Sequence, residues 1–496
     1  MITRMKTLPH NLFRAIQVRE LDRLAIEDYD IPGEILMERA GTAAFNALVA
    51  HWPEARCITI LCGIGNNAGD GFVVARLAAE AGLQVVVLQL GDVSRLNGDA
   101  LQAQQRLEEV SLESVPFSIG GLFDCDVIVD AMLGTGLDRP VEGDFSQAID
   151  AINCSGLDVL ALDLPSGLQA DTGQVLGRAV RAQLTITFIG VKQGMLTAAG
   201  PDCCGDIKFD DLGIPQQLFT HCEANVSRID YASLKYYFDV RERASHKGQF
   251  GHVLVIGGDH GMLGAVSMAA LAAARSGSGL VSIATRADHA AMISAAQPEI
   301  MAHAVEDEAD LKKLLTKASV VAIGPGLGGS DWSLRMLALA LDFSGPLVVD
   351  ADALNLLSQE PEKKENWVLT PHPAEAARLL GIQTLDVQQD RFTMVRRIQQ
   401  RYGGVCVLKG VGTLISDESG EILLCNEGNP GMASAGMGDV LTGVIAALLA
   451  QHFEPLVAAQ LGVCLHARAG DLAAAEGERG LMATDLLWPI RQLVNP

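Results

Sequence analysis

The chain reads as a succession of short apolar runs, each closed by glycines and followed by a stretch with helical spacing. Cys57–Cys62 is the first clear run, apolar throughout apart from Thr59, as a strand buried on both faces requires. Phe72 to Ala81 follows at helical spacing, and Gln84 to Leu90 reads as a second strand. The pattern returns at Asp126–Asp130, Val159–Asp163 and Thr185–Ile189. Ahead of it, Thr3 to about Ala50 is expected to be mostly helical. In the second half His252–Ile256, Val320–Ile323, Leu347–Asp350, Val368–Thr370 and Val405–Lys409 are expected strands. A small-residue helix ends at Arg275, and an apolar helix runs on from Val440. Gln216 to about Arg228 lacks periodicity and reads as a linker. At 496 residues the chain exceeds one ordinary domain. Strands alternating with helices predict an α/β protein of two doubly wound domains, residues 1–225 and 226–496.

Composition narrows the partners. Hydrophobic residues at 49% and charged residues at 20% are those of a core-forming protein, and 51 glycines imply many tight strand-to-helix turns. The formal charge of −23 opposes nucleic acid and anionic membrane, so neither is an expected partner. An anionic nucleotide would need local amides, a few lysines and a divalent cation. The ten cysteines include no C-x-x-C pair and no zinc-type spacing with histidine, and free thiols in a reducing cytoplasm are expected. The first ten residues lack the apolar core of a signal peptide, and the apolar run Met262–Ala274 is too short to cross a bilayer. A cytoplasmic protein is expected, and the apolar helical N-terminus makes a homo-oligomer the expected assembly.

The candidate chemistry sits in the glycine loops. Asn426 to Leu448 passes from glycine, asparagine and small residues directly into a helix, a ready anion site. Gly436 and Gly438 would supply amides. Asp439, at the helix start, suits proton acceptance from a hydroxyl, a share in holding a metal, or simple capping. In the first half Gly63, Gly65 and Ala68 satisfy G-x-G-x-x-G/A, which keeps a Rossmann dehydrogenase open. Asn66, Asn67 and Asp70 instead place side-chain oxygens in that loop, which suits a hard cation or plain turn formation. Asp130, the Gly134 loop and the Asp163/Ser166 turn can share the same sheet edge. Lys409 stands at a strand end beside Gly410 and Gly412, as phosphate binding expects, and His372 is fixed between prolines.

Three motifs, G-I-G-N-N-A-G-D-G, V-D-A-M-L-G-T-G and L-D-L-P-S-G, resemble the NAD(P)H-hydrate epimerase domain over about residues 10–215. G-P-G-L-G, D-A-D-A-L-N, T-P-H-P-A-E, K-G and G-M-G-D are similar to the ribokinase-like ADP/ATP-dependent NAD(P)H-hydrate dehydratase over about 230–490. The resemblance implies a Rossmann-like epimerase domain followed by a ribokinase-like dehydratase domain, acting on NAD(P)H hydrate with ADP or ATP as co-substrate. It implies hydrate contacts from Asn66, Asn67, Ala68, Gly69, Asp70, Gly134, Thr135, Gly136, Leu137, Asp138, Arg139, Pro140 and Asp163. K+ would be held near Asn67, Asp130 and Ser166, and Asp163 would be the acid/base. In the second domain Ala265, Gly326, His372 and Asp439 would contact the S-hydrate. Lys409, Gly410, Val411, Gly412, Thr413 and Gly438 would bind ADP, with Mg2+ assisting and Asp439 as base. A sugar or vitamin kinase with an accessory domain would share the G-M-G-D loop but would not explain the N-terminal motifs, and a non-catalytic nucleotide sensor would not need Asp439.

Overall fold

The computed structural model describes residues 8–122 and 124–495. The chain divides between Val226 and Ser227 into two compact units. Among the described residues, the first unit builds a parallel sheet from β1 (Cys57–Cys62), β2 (Gln84–Gln89), β3 (Ser114–Pro116), β4 (Val127–Ala131), β5 (Asp158–Leu162), β6 (Leu184–Phe188) and β7 (Asp206–Asp210). Their spatial order is β3-β2-β1-β4-β5-β6-β7, all parallel. Alternation explains the apolar runs. Ile58, Ile60, Val129 and Leu160 enter one buried cluster, while Leu61, Ile128, Val159 and Ala161 enter another on the opposite face. The order reverses between β1 and β4, so the loops leaving those strands open into a crevice.

Three local expectations change. The N-terminal stretch holds a strand, Asn11–Phe13, before α1 (Ala15–Glu27) and α2 (Gly33–His51), and the expected helix before Leu8 lies outside the described residues. The helix after β1, α3, runs Asn66–Glu80, so Asn66, Asn67 and Asp70 occupy its first turns rather than a loop. Its glycines serve packing: a Cβ at Gly71 would lie 2.6 Å from Ala131 Cβ, and one at Gly69 2.6 Å from Met37 Cε. Residues that read as a turn are therefore a helix pressed against the sheet and α2. The expected linker is ordered, with a short turn at Gln216–Thr220 that buries Leu218 and a strand at Val226–Ile229.

The second unit repeats the plan. Its strands are β8 (His252–Ile256), β9 (Leu280–Thr285), β10 (Met301–Ala304), β11 (Val320–Ile323), β12 (Leu347–Val349), β13 (Trp367–Leu369) and β14 (Val405–Leu408). They run parallel in the order β10-β9-β8-β11-β12-β13-β14. β15 (Thr413–Ser416) and β16 (Ile422–Cys425) extend the sheet antiparallel. After α4 (Gly98–Glu109) and α5 (Gly143–Ser155) of the first unit, α6 (Leu263–Arg275) leaves the β8 loop, and α7 (Pro373–Leu380), α8 (Met437–Ala450) and α9 (Pro455–Ala473) follow. α8 packs on α6 backbone to backbone, since a Cβ at Gly443 would strike the Ala269 carbonyl oxygen. No helix among the described residues is long and apolar enough to cross a membrane.

Candidate active sites

In the first unit Asp130 is the penultimate residue of β4 and wholly buried. Ser166 N donates to its Oδ2 at 2.8 Å and Ser166 Oγ to its Oδ1 at 2.6 Å, with Met132 N at 3.2 Å. No basic side chain pairs with Asp130 among the described residues, and burial pushes its carboxyl up to about 6 against those hydrogen bonds. Leu133 N donates to Ser166 Oγ at 2.8 Å, and Asn67 Nδ2 to Leu133 O at 3.3 Å. Asn67 Oδ1 is buried without a partner. Asn67, Asp130 and Ser166 thus share one patch, with an orphaned acceptor and an unpaired carboxylate.

Asp163 stands beside that patch. It leaves β5 with φ +62, a left-handed conformation that costs a non-glycine residue strain. The bend aims its carboxylate at Lys192, whose ammonium is fully buried and pairs with Asp163 Oδ1. Lys192 Nζ also donates to Thr187 Oγ1 at 2.9 Å and Phe188 O at 3.2 Å, so all of its donors are aimed. A Cβ at Gly134 would sit 3.6 Å from Asn67 Cβ and 3.9 Å from Asp163 Oδ2, which places that glycine between the two. Burial, then the charges of Asp163 and Asp22, pushes Asp70 well above the usual carboxylate range. Asp22, on α1, therefore joins a group that the loop motifs do not include. Ala68 and Gly69 lie buried in α3, while Asn66 is exposed at its start. Thr135 O accepts from Arg19 Nη2 at 2.9 Å, and Leu137 packs on an apolar cluster. Gly136, Asp138, Arg139 and Pro140 continue that loop in solvent.

In the second unit the hub is Asp350, which directly follows β12 and is 1% exposed. It accepts Lys409 Nζ at 2.7 Å on Oδ1 and Thr442 Oγ1, from α8, at 2.7 Å on Oδ2. Lys409 is also 3.8 Å from Glu375. Burial would lower the Lys409 ammonium, but Asp350 and Glu375 outweigh it and hold it above its ordinary value. A Cβ at Gly438 would lie 3.2 Å from Lys409 Nζ, so the glycine turn and the lysine meet. Burial, then the charge of Asp350, pushes Asp439 up to about 7, with Lys409 opposing. His372 caps α7: its Nδ1 accepts the N–H groups of Ala374 and Glu375 at 3.1 and 3.3 Å. The proton is therefore on Nε2, which lies 3.2 Å from Glu375 Oε1.

The β8 and β11 loops close this crevice. Gly326, at φ +59, comes so near α6 that a Cβ there would be 3.2 Å from Ala265 Cβ. Asp352 Oδ2 accepts Gly328 N at 2.8 Å and adds its charge to the group around Asp439. The Lys409–Thr413 turn is held from below by Arg391, which donates to Lys409 O at 3.3 Å and Gly412 O at 3.2 Å. Gly410 and Val411 face solvent at the rim. Sequence reading missed Asp350 as hub, Glu375, Thr442, Arg391 and Lys192. Key partners are distant in the chain: Thr442 and Asp350 are 92 positions apart, and Lys409 and Asp350 are 59 apart. For Lys192 the available signal was a lone lysine just past an apolar strand.

The family model of NAD(P)H-hydrate dehydratase matches residues 253–492, and that of the YjeF-related protein N-terminus matches residues 33–194. The bifunctional NAD(P)H-hydrate repair enzyme Nnr of Coxiella burnetii is 51% identical over 98% of this chain and 99% of its own. Its Escherichia coli counterpart is 42% identical over 99% of this chain and 95% of its own. A solved ribokinase-like superfamily protein from Enterococcus faecalis is 30% identical with a TM-score of 0.51, covering 55% of this chain and 96% of that one. Matched in both halves and almost end to end, the chain belongs to the family of bifunctional NAD(P)H-hydrate repair enzymes.

Proposed function

We propose that this protein restores hydrated NADH and NADPH in two steps, residues 1–225 interconverting the R and S hydrates and residues 226–496 dehydrating the S form with ADP or ATP. The observation that carries the reading is the group formed by buried Asp350 with half-buried Lys409 and Asp439 at the mouth of the Gly436–Gly438 turn. A lysine and free helix amides favour a phosphate, and a carboxylate balanced near neutrality beside them favours deprotonating a hydroxyl. Asp439 takes the proton of the C6 hydroxyl as that oxygen attacks the terminal phosphoryl group. Lys409 and the turn amides hold the charge of the transferring group. The lone pair of the ring nitrogen then expels phosphate from C6, the departing phosphate takes the proton from C5, and the C5–C6 double bond returns. Asp350, Asp352, Glu375 and Asp439 stand around one lysine, and these carboxylates would hold a Mg2+ ion, which would supply positive charge to the transferring phosphoryl group.

In the first unit the Asp163–Lys192 pair gives a proton, drawn from the ammonium and passed through the carboxylate, to the departing C6 hydroxyl, and takes one back from the water that returns on the other face. Lys192 fixes the carboxylate that does so. The residues present fit a bound K+: the orphaned Asn67 Oδ1, the unpaired Asp130 carboxylate and Leu133 O are hard oxygen donors. Such an ion would supply a fixed positive charge and order the Met132–Gly136 loop. The test uses full-length protein, purified R and S hydrates, and ADP or ATP. Asp439→Ala is expected to abolish recovery of nicotinamide absorbance while R/S exchange continues, and Asp163→Asn to do the reverse. Loss of both activities in either variant would overturn the two-site reading.

A further inference from the structure

We propose that Cys425, Glu427 and Cys464 form a binding site for a thiophilic divalent cation of the zinc and cadmium class. The two sulfurs and a carboxylate oxygen of these residues all lie within 4.8 Å of one another. Cys425 closes β16, Glu427 comes two positions later, and Cys464 projects from α9. The thiols are 1% and 0% exposed and are otherwise surrounded by the apolar core that contains Ile415, Leu461 and Leu465. Glu427 Oε2 accepts Tyr231 N at 2.7 Å, which orients the carboxylate from outside the group.

The chemistry of the donor set chooses the ion. Two thiolates select zinc-like metals over magnesium or calcium, and a carboxylate completes three protein ligands with a fourth position for water. With Zn–S bonds of about 2.3 Å, tetrahedral ligand atoms stand about 3.8 Å apart, so a contraction of at most about 1 Å would close the site. Binding converts both thiols to thiolates and releases two protons to solvent. None of the three residues is used by the proposed hydrate chemistry. The consequence is positional: Cys425 and Glu427 flank the root of the Asn426–Gly438 stretch, so the ion would fasten the approach to the phosphate turn onto α9.

The test titrates reduced, metal-free, full-length protein with Cd2+ alone and follows the thiolate-to-cadmium charge-transfer band. One ion per chain is expected, with two protons released per ion and displacement by Zn2+. Cys425→Ser and Cys464→Ser are each expected to weaken binding at least a hundredfold. Glu427→Gln retains both thiols and the packing, and is expected to weaken it about tenfold. Cys203→Ser is expected to change nothing. A band that is absent, or that persists at the same affinity in both serine variants, overturns the proposal, as does a Cys425–Cys464 disulfide that forms while no metal is taken up.

Discussion

Lys192 illustrates how one residue outside the motifs can hold a strand-end carboxylate in place. Its ammonium is wholly buried and its listeners are Asp163, Thr187 and Phe188 O. Lys192→Met removes the charge that Asp163 answers, and breaking a buried pair from one side costs about 3–5 kcal/mol. The expected outcome is a fall in R/S exchange of at least a hundredfold, a lower melting temperature, and unchanged dehydration by the same preparation. Asp439 makes a prediction with a definite sign. Its carboxyl is raised to about 7 by burial and by Asp350. As a base it works only when ionised, so kcat/KM for dehydration should climb with pH and level off above about 7. Stability runs the other way: the neutral form suits the fold, so this group's contribution is full below the unfolded value of about 4 and is lost as pH rises through about 7. Glu375 is raised as well. Glu375→Gln should therefore keep the rising limb, whereas Asp439→Asn should erase it together with the activity.

At the scale of elements, β1, β8 and β11 stand where their apolar runs place them, because a strand buried on both faces advertises itself in consecutive residues. The start of α3 was not legible. Asn66-Asn67-Ala68-Gly69-Asp70-Gly71 has the composition of a turn, and only the surfaces of α2 and β4 reveal that its glycines are contacts. The site is legible to a similar degree. Glycine loops and strand-end acids point to the sheet edges, but Asp350, Arg391 and Glu375 gain meaning only from partners brought in by other strands. The crossing of α6 and α8 can be tested alone. Gly443→Ala drives a methyl into the Ala269 carbonyl, and overpacking of this kind costs about 1–3 kcal/mol. Its denaturant midpoint should fall accordingly, while Gly264→Ala on the open side of α6 should not lower it.

The whole molecule carries the same device twice, a parallel sheet whose order reverses between its first and fourth strands with glycine loops above the reversal. Each unit therefore has its own crevice, and a ligand should stabilise the unit whose crevice it fills. A ligand present at a hundred times its Kd adds about 2.7 kcal/mol to the state that binds it, which slows exchange through opening about a hundredfold. Saturating Mg–ADP should thus slow amide hydrogen exchange in Pro373–Leu380, Lys409–Thr413 and Met437–Leu441. It should leave Val127–Ala131 and Leu133–Gly136 as they were. The hydrated dinucleotide should protect both sets. The −23 charge of the chain works against every one of these anions, so protection must come from the local amides and from Lys409 rather than from the general field. Lys409→Ala should consequently cancel the ADP effect with little change in the exchange of the first unit. Protection of Leu133–Gly136 by Mg–ADP as strong as that at Lys409–Thr413 would mean that the nucleotide occupies both crevices, and the division of labour between the units would have to be redrawn.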